Sequence, residues 1–140
     1  MQRCYFIGSL ITCLVGLLLY LGYRVETLFM FSWLENMGGG STIRTIREFL
    51  DAYPLTRWQW LVYSLPFSLW ILSYLLFITA LWGGDKGRKF YLYFFLVPCA
   101  ALFIEIMQLT YWVPGHFDLV DVFFILAATG VGYLLLSFHV

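Results

Sequence analysis

Residues 58–84 read WQWLVYSLPFSLWILSYLLFITALWGG and contain no Asp, Glu, Lys or Arg. A helix needs about 20 apolar residues to cross the hydrocarbon core of a bilayer, and this run is long enough to do so. Tryptophans stand near both of its ends, as they do where a transmembrane helix meets the two membrane interfaces. The run predicts a transmembrane helix over residues 58–82, with a kink at Pro66.

Three further runs have the same character. Residues 4–23 carry no charge, residues 90–112 carry only Glu105, and residues 119–138 carry only Asp121, close to their start. No small-residue cleavage pattern follows the first run, so we expect an uncleaved anchor there. The sequence therefore predicts an all-α, four-helix transmembrane bundle that forms a single membrane domain over the whole chain.

The composition agrees with a membrane protein and excludes several other classes. Of the 140 residues, 62% are hydrophobic and 21% aromatic, while only 11% are charged. A soluble domain has roughly a quarter of its residues charged, and a disordered chain has few aromatics. Eight basic and eight acidic residues give a net charge of zero, so the chain has no basic field to bind nucleic acid.

Residues 24–57 form the one long connection, which we expect outside the membrane. Gly38–Gly40 divides it into an aromatic half and a half with helical periodicity. The second half predicts an amphipathic helix over about residues 42–53 that lies on the membrane surface. Arg44 and Arg47 are expected on the solvated face of this helix.

The orientation follows from the density of positive charge. Each side of a four-span bundle carries four of the eight Lys and Arg residues, so the count alone does not decide. Residues 85–89, DKGRK, concentrate three of them in one minimal loop, which is typical of a cytoplasmic loop. We therefore expect both termini in the cytoplasm.

Five polar side chains gather around the predicted hairpin of the last two spans. An intramembrane carboxylate is costly and normally faces the interior of a bundle, which makes it a functional hypothesis by default. The Pro-Gly turn between the spans brings that carboxylate near its polar neighbours. This group, named here the polar niche, comprises Glu105, Gln108, His116, Asp118 and Asp121.

Each member of the polar niche also has a structural interpretation. Glu105 and Gln108 can hold the hairpin in register by hydrogen bonds between helices. Asp118 can cap the last helix, where carboxylates favour the positive end. Two carboxylates in one niche, Glu105 and Asp121, favour protonation of one of them or pairing with a cation. The candidate cations from the first loop are Arg44, Arg47 and Arg57.

The hairpin resembles the C-terminal signature of the VanZ-like family of membrane proteins. The resemblance covers roughly residues 104–133, with EIMQ at 105–108 and PGHFDLVDV at 114–122. The usual Arg of the turn is replaced by His116, and the usual Asn one turn after the second Asp is replaced by Ile125. The resemblance implies a small bacterial protein of the cytoplasmic membrane with about four spans. Its namesake is associated with glycopeptide resistance, which implies a connection to the cell envelope.

The leading functional hypothesis is a non-enzymatic accessory membrane protein of this VanZ-like kind. Ala128 and Gly132 lie four residues apart on the last span, and small residues at this spacing form a helix-packing face. The expected partners are membrane lipids and either another membrane protein, a second copy of the chain or a lipid-linked envelope component. No cofactor is expected, because the glycine stretch is not followed by the Lys of a phosphate loop.

Two active alternatives remain open on the sequence. In the first, the protein is a small lipid or solute carrier in which Glu105 and Asp121 change protonation. In the second, it is a metal-dependent membrane hydrolase. The ligand set for that metal would be His116, Asp118, Asp121 and Glu105, which supplies a single nitrogen where zinc sites usually use more His or Cys.

Overall fold

The computed structural model describes residues 2–24, 29–50, 52, 58–82 and 86–137, and all regular structure within them is helical. The helices in chain order are α1 (Gln2–Tyr23), α2 (Phe29–Asn36), α3 (Gly40–Leu50), α4 (Gln59–Tyr63), α5 (Leu65–Trp82), α6 (Arg88–Leu109) and α7 (Leu119–Ser137). Four of them, α1, α5, α6 and α7, are long and apolar enough to cross a membrane. The predicted all-α, four-helix architecture is confirmed, and the chain is a multi-pass membrane protein.

Helix α5 lies at the centre of the bundle and contacts α1, α6 and α7. In its most apolar window 44% of the residues are buried, against 17% in α1 and 22% in α7. Its side chains form the main core with those of α6 and α7: Ile71, Leu75, Ile78, Phe90, Phe94, Ala101, Ile125, Ala128 and Leu136. The apolar surface left exposed on the outer helices is the surface that a bilayer covers.

Small residues let α1 approach α5 closely. A Cβ added at Gly16 would lie 2.8 Å from the indole nitrogen of Trp70 and 3.1 Å from the carbonyl oxygen of Pro66. Farther along the pair, the Ser73 hydroxyl donates a buried hydrogen bond of 2.8 Å to the carbonyl oxygen of Ser9. Close backbone approach and interhelical hydrogen bonds hold membrane helices together, because lipid tails are as apolar as the helix surfaces and the hydrophobic effect does not drive helix association.

The four spans run alternately, so the bundle has two distinct ends. The terminal end carries the start of α1, the α5–α6 connection and the end of α7. There the Lys86 ammonium donates to the carbonyl oxygen of Leu136 at 3.0 Å, and the Tyr5 hydroxyl donates to that of Leu135 at 2.9 Å. The opposite end, named here the loop end, carries the end of α1, the helices α2, α3 and α4, and the α6–α7 turn.

The second predicted span is interrupted near the loop end. Ser64 separates α4 from α5 and keeps a right-handed helical conformation, with its N–H bonded to Trp60 O, and Pro66 lies in the first turn of α5. Proline has no N–H and its ring clashes with the carbonyl four residues earlier, but it fits the first turn of a new helix. The kink expected at Pro66 therefore takes the form of a break two residues before it.

Helix α3 packs on the end of α1. Helix α2 ends at Asn36, and the turn after it includes Gly38, with φ of 85°. The N–H of Gly38 bonds Glu35 O and the N–H of Gly39 bonds Leu34 O. Helix α3 begins at Gly40, two residues before the start of the predicted helix over residues 42–53. Residues 51 and 53 of that prediction lie outside the described part of the chain. The apolar face of α3 buries Ile43 against Leu21 and Phe31.

Candidate functional site

The α6–α7 hairpin begins with a left-handed turn at an aromatic residue. The N–H of Trp112 bonds Met107 O at 2.9 Å and the N–H of Tyr111 bonds Gln108 O at 3.1 Å, which closes a Schellman motif. Tyr111 occupies the left-handed position of that motif with φ of 60°, where glycine is the usual residue. Helix α6 ends at Leu109 for this reason, before the predicted boundary at residue 112.

Asp118 is the N-cap of α7. Its carboxylate Oδ1 accepts the N–H of Val120 at 2.8 Å, and its carbonyl accepts the N–H of Val122 at 3.2 Å. This is the geometry of an N-cap aspartate, which satisfies an N–H group that the helix itself leaves unpaired. The Asp118 side chain therefore caps α7, which is the structural role that the sequence indicated for it.

Glu105 joins the two helices of the hairpin. It is buried on α6, and its Oε2 accepts the backbone N–H of Asp118 at 3.4 Å. The carboxyl groups of Asp118 and Asp121 lie near enough to interact electrostatically with that of Glu105. The structure therefore brings three of the five niche residues together, and the deepest of them bonds to the start of the neighbouring span.

Gln108 supports the turn by packing. Gly115 has φ of 142°, and a Cβ added there would lie 2.5 Å from Gln108 Nε2 and 2.8 Å from its Cδ. A side chain at position 115 is therefore opposed both by the backbone conformation and by the Gln108 amide. His116, the next residue, is exposed on the turn.

The described residues offer no metal-ligand cluster. Within residues 2–24, 29–50, 58–82 and 86–137, no three His, Cys, Asp or Glu side chains are grouped as a metal ion requires. Of the four predicted ligands, His116 stands out on the turn while Glu105 is buried in the hairpin. The hydrolase alternative is therefore without a ligand set in the part of the chain that the structure describes.

The arginines predicted as cationic partners occupy other places. Arg47 is half-buried, and its guanidinium donates to Leu21 O at 3.1 Å and to Arg24 O at 2.6 Å, which caps the end of α1. The solvated position expected for Arg47 was wrong, because the unpaired carbonyls of a helix end attract a cation. Arg44 is exposed as expected, and Arg57 lies outside the described residues.

Arg24 contacts two tyrosine rings at the loop end. Its guanidinium carbon lies 4.5 Å from the ring centroid of Tyr63 and 5.7 Å from that of Tyr20. Its Nε is buried and has no hydrogen-bond partner within the described residues. In the sequence Arg24 stands at the boundary of the first span, where an arginine side chain normally extends to water. Its spacing of four residues from Tyr20 is the only sequence signal for the contact with the Tyr20 ring.

A cavity of about 310 Å³ opens beside Asp118. It is lined by Trp60, Tyr63, Ser64, Asp118 and Val120, which come from α4, the helix break and the start of α7. The Trp60 ring is fixed by stacking on Phe124 of α7, with 5.8 Å between centroids and 20° between planes. Sequence reasoning missed this cavity because its walls come from α4 and the start of α7, which lie far apart in the sequence.

The small residues of α7 pack inside the bundle. Ala128 and Gly132 are both buried, and a Cβ added at Gly132 would lie 2.8 Å from Leu75 Cδ1 of α5. This face is therefore occupied by the chain's own central helix. Gly130, on another side of α7, has open space around it.

The comparisons with known proteins give no relative. No family model matches the chain, and neither a curated protein nor a solved structure is similar to it.

Proposed function

We propose that this chain is a non-enzymatic, VanZ-like accessory protein of a bacterial cytoplasmic membrane, with both termini in the cytoplasm. In this proposal it associates at its loop end with a lipid-linked envelope component or with a larger membrane protein. Four apolar spans suit a protein that acts through association within the membrane. The resemblance of residues 104–133 to the VanZ-like signature supports the connection to the cell envelope.

The observation that carries the proposal is the hydrogen bond between the Glu105 carboxylate and the N–H of Asp118. A proton carrier or a hydrolase needs its buried acid to face a substrate, whereas this acid bonds to the backbone of the next helix. Asp118 is likewise engaged, as the N-cap of α7. Both carboxylates thus serve the hairpin, which supports a binding role over a catalytic one.

The cavity beside Asp118 supports the choice of the loop end as the binding region. Trp60 and Tyr63 give it an aromatic wall, and Asp118 and Ser64 give it polar groups. Pockets of this size, mostly apolar with a few polar groups, are typical of sites for part of a small ligand. An amphiphilic molecule held in the membrane has the apolar and polar parts that such walls contact.

The proposal is tested by native mass spectrometry of the protein extracted gently from its own membrane. The expected spectrum carries a reproducible additional mass, either a protein subunit or a lipid-linked molecule larger than a phospholipid. The matched sample is a variant with Trp60→Ala and Asp118→Asn, which alters the cavity and keeps an N-cap side chain. Loss of the additional mass in this variant locates the association at the loop end.

A bare chain, or one that carries only ordinary phospholipid, would contradict the accessory function. The carrier alternative makes a different prediction for Glu105→Gln. An amide cannot exchange a proton as a carboxyl does, so a proton-coupled carrier loses transport while an accessory protein keeps its partner.

A further inference from the structure

A second pocket, of about 430 Å³, lies between the end of α1, α2 and α3, away from the polar niche. Its floor is formed by the buried Phe31 and Ile43. Its rim is polar and carries two arginines and two glutamates: Arg44, Arg47, Glu35 and Glu48. A pocket that combines two cations with two anions matches a ligand that itself carries both charges.

One cation of this pocket, Arg47, is held in place by contacts within the protein. The Arg47 guanidinium is held by the carbonyls of Leu21 and Arg24 and lies over the Phe31 ring, 5.0 Å from its centroid. Arg44 stands one turn earlier on α3 and shares the same pocket. Arginine binds phosphate oxygens through directed, charge-assisted hydrogen bonds.

The N-terminus of α3 adds backbone donors to the same pocket. The carbonyl of Gly39 accepts the N–H of Ile43, so Gly39 is the N-cap of the helix and has no side chain to cap it. Gly40, the first helical residue, lines the pocket. The first N–H groups of a helix have no partner within it and favour anions.

The anionic groups of the pocket are Glu35 on α2 and Glu48 on α3. Within the described residues these two carboxylates and Arg44 form no ion pair or hydrogen bond with one another. An anion alone would meet the arginines but would also face two carboxylates of its own charge. A zwitterion with a primary ammonium satisfies both sides, because the ammonium donates hydrogen bonds to carboxylates.

The pocket lies beside the end of a membrane span, which points to a lipid as the source of the ligand. Gly22, at the last turn of the first membrane span, forms part of its wall. Trp33, Trp58 and Trp112 are exposed at the same end of the bundle, and tryptophan is enriched where a membrane protein meets the interface. Lipid headgroups occupy this level of a bilayer.

We propose that this pocket binds the phosphoethanolamine headgroup of a membrane phospholipid. The phosphate is bound by Arg44, Arg47 and the N-terminus of α3, and the ammonium by Glu35 and Glu48. The inference is independent of the proposed accessory function, because it concerns other residues and an abundant lipid, so either can fail without the other.

The test is native mass spectrometry of the full chain from vesicles with equal amounts of phosphatidylethanolamine, phosphatidylglycerol and phosphatidylcholine. The wild type is expected to retain phosphatidylethanolamine preferentially, because choline has no N–H to donate and glycerol has no cation. Arg44→Gln is expected to lower its retention by about fivefold, the effect of losing one exposed charged contact. Glu48→Gln is expected to remove the preference over phosphatidylglycerol.

The control is Lys89→Gln, an exposed cation at the terminal end, which is expected to leave retention unchanged. Equal retention of the three lipids, or an unchanged preference in both Arg44→Gln and Glu48→Gln, would overturn the proposal. Displacement of the lipid by excess inorganic phosphate would overturn it as well, because it would assign the site to the free anion. Arg44 and Glu48 are exposed, so helicity and monodispersity should match the wild type in both variants.

Discussion

The Glu105 carboxylate on α6 accepts a hydrogen bond from the backbone N–H of Asp118, with 3.4 Å between Oε2 and N. The same Asp118 uses its own carboxylate to cap α7. One buried acid thus fixes the position of the residue that starts the next span. This relationship gives the intramembrane carboxylate a structural role and yields direct tests.

The first test compares an amide and an apolar side chain at position 105. Glu105→Gln is expected to unfold within about 0.5 kcal/mol of the wild type, because the amide oxygen also accepts the Asp118 N–H. Glu105→Leu leaves that N–H unpaired and is expected to lose about 1 kcal/mol or more. The free energy of unfolding in mixed micelles measures both. Equal losses in the two variants would show that the acceptor is not what matters.

The second test concerns the N-cap. Asp118→Ala is expected to cost about 1 kcal/mol, since the N–H of Val120 loses its acceptor, whereas Asp118→Asn retains the cap and most of the stability. The same unfolding measurement applies. If asparagine were as damaging as alanine, the charge of Asp118 rather than its hydrogen bond would stabilise the hairpin.

The third test concerns the turn at Gly115. Gly115→Ala is expected to cost about 1–3 kcal/mol, because its φ of 142° disfavours any Cβ and the new methyl group meets the Gln108 amide. Gly130→Ala is the control, since a Cβ there has open space and alanine favours a helix.

The two causes of the Gly115 effect can be separated by a second substitution. In a Gln108→Ala background the contact with the amide is gone, so Gly115→Ala should cost less, while the backbone strain remains. Full additivity of the two substitutions would contradict the packing of Gln108 on the turn.

The fourth test uses the left-handed residue at the end of α6. Tyr111→Gly is expected to stabilise the fold by about 1 kcal/mol, because glycine adopts a φ of 60° without the strain that a side chain adds. The Tyr111 side chain is 91% exposed in the structure, so its removal gives up little packing within the protein. Tyr111→Ala removes the ring and keeps the strain, and is the matched control. A glycine variant no more stable than the alanine variant would argue against this account.

The four spans could be predicted from the sequence because a charge-free run of about 20 residues is long enough to cross a membrane as a helix, and few other structures satisfy its backbone there. Glu105 could be singled out for the same reason, as a charge within such a run. The break at Ser64 was less accessible, because proline predicts an interruption but not the residue at which the helix stops. The cavity was missed because its walls come from α4 and α7, which lie far apart in the sequence.

The roles of the arginines could not be predicted from periodicity. The periodicity of α3 predicted that Arg47 lies on a solvated face, but its guanidinium donates to backbone carbonyls at the end of α1. Arg24 contacts Tyr63 across almost forty positions of chain, and such a pairing follows only from the arrangement of α1 and α4 in space. Tertiary packing, which local patterns do not encode, decided both.

We propose that Glu105 stabilises the hairpin of an accessory protein and does not act by gaining and losing a proton. Native mass spectrometry of wild type and Glu105→Gln, each extracted from its own membrane, tests it most directly. The same additional partner or lipid-linked mass is expected on the wild type and on Glu105→Gln. A wild-type chain without any such mass, or an additional mass that disappears in Glu105→Gln, would contradict it.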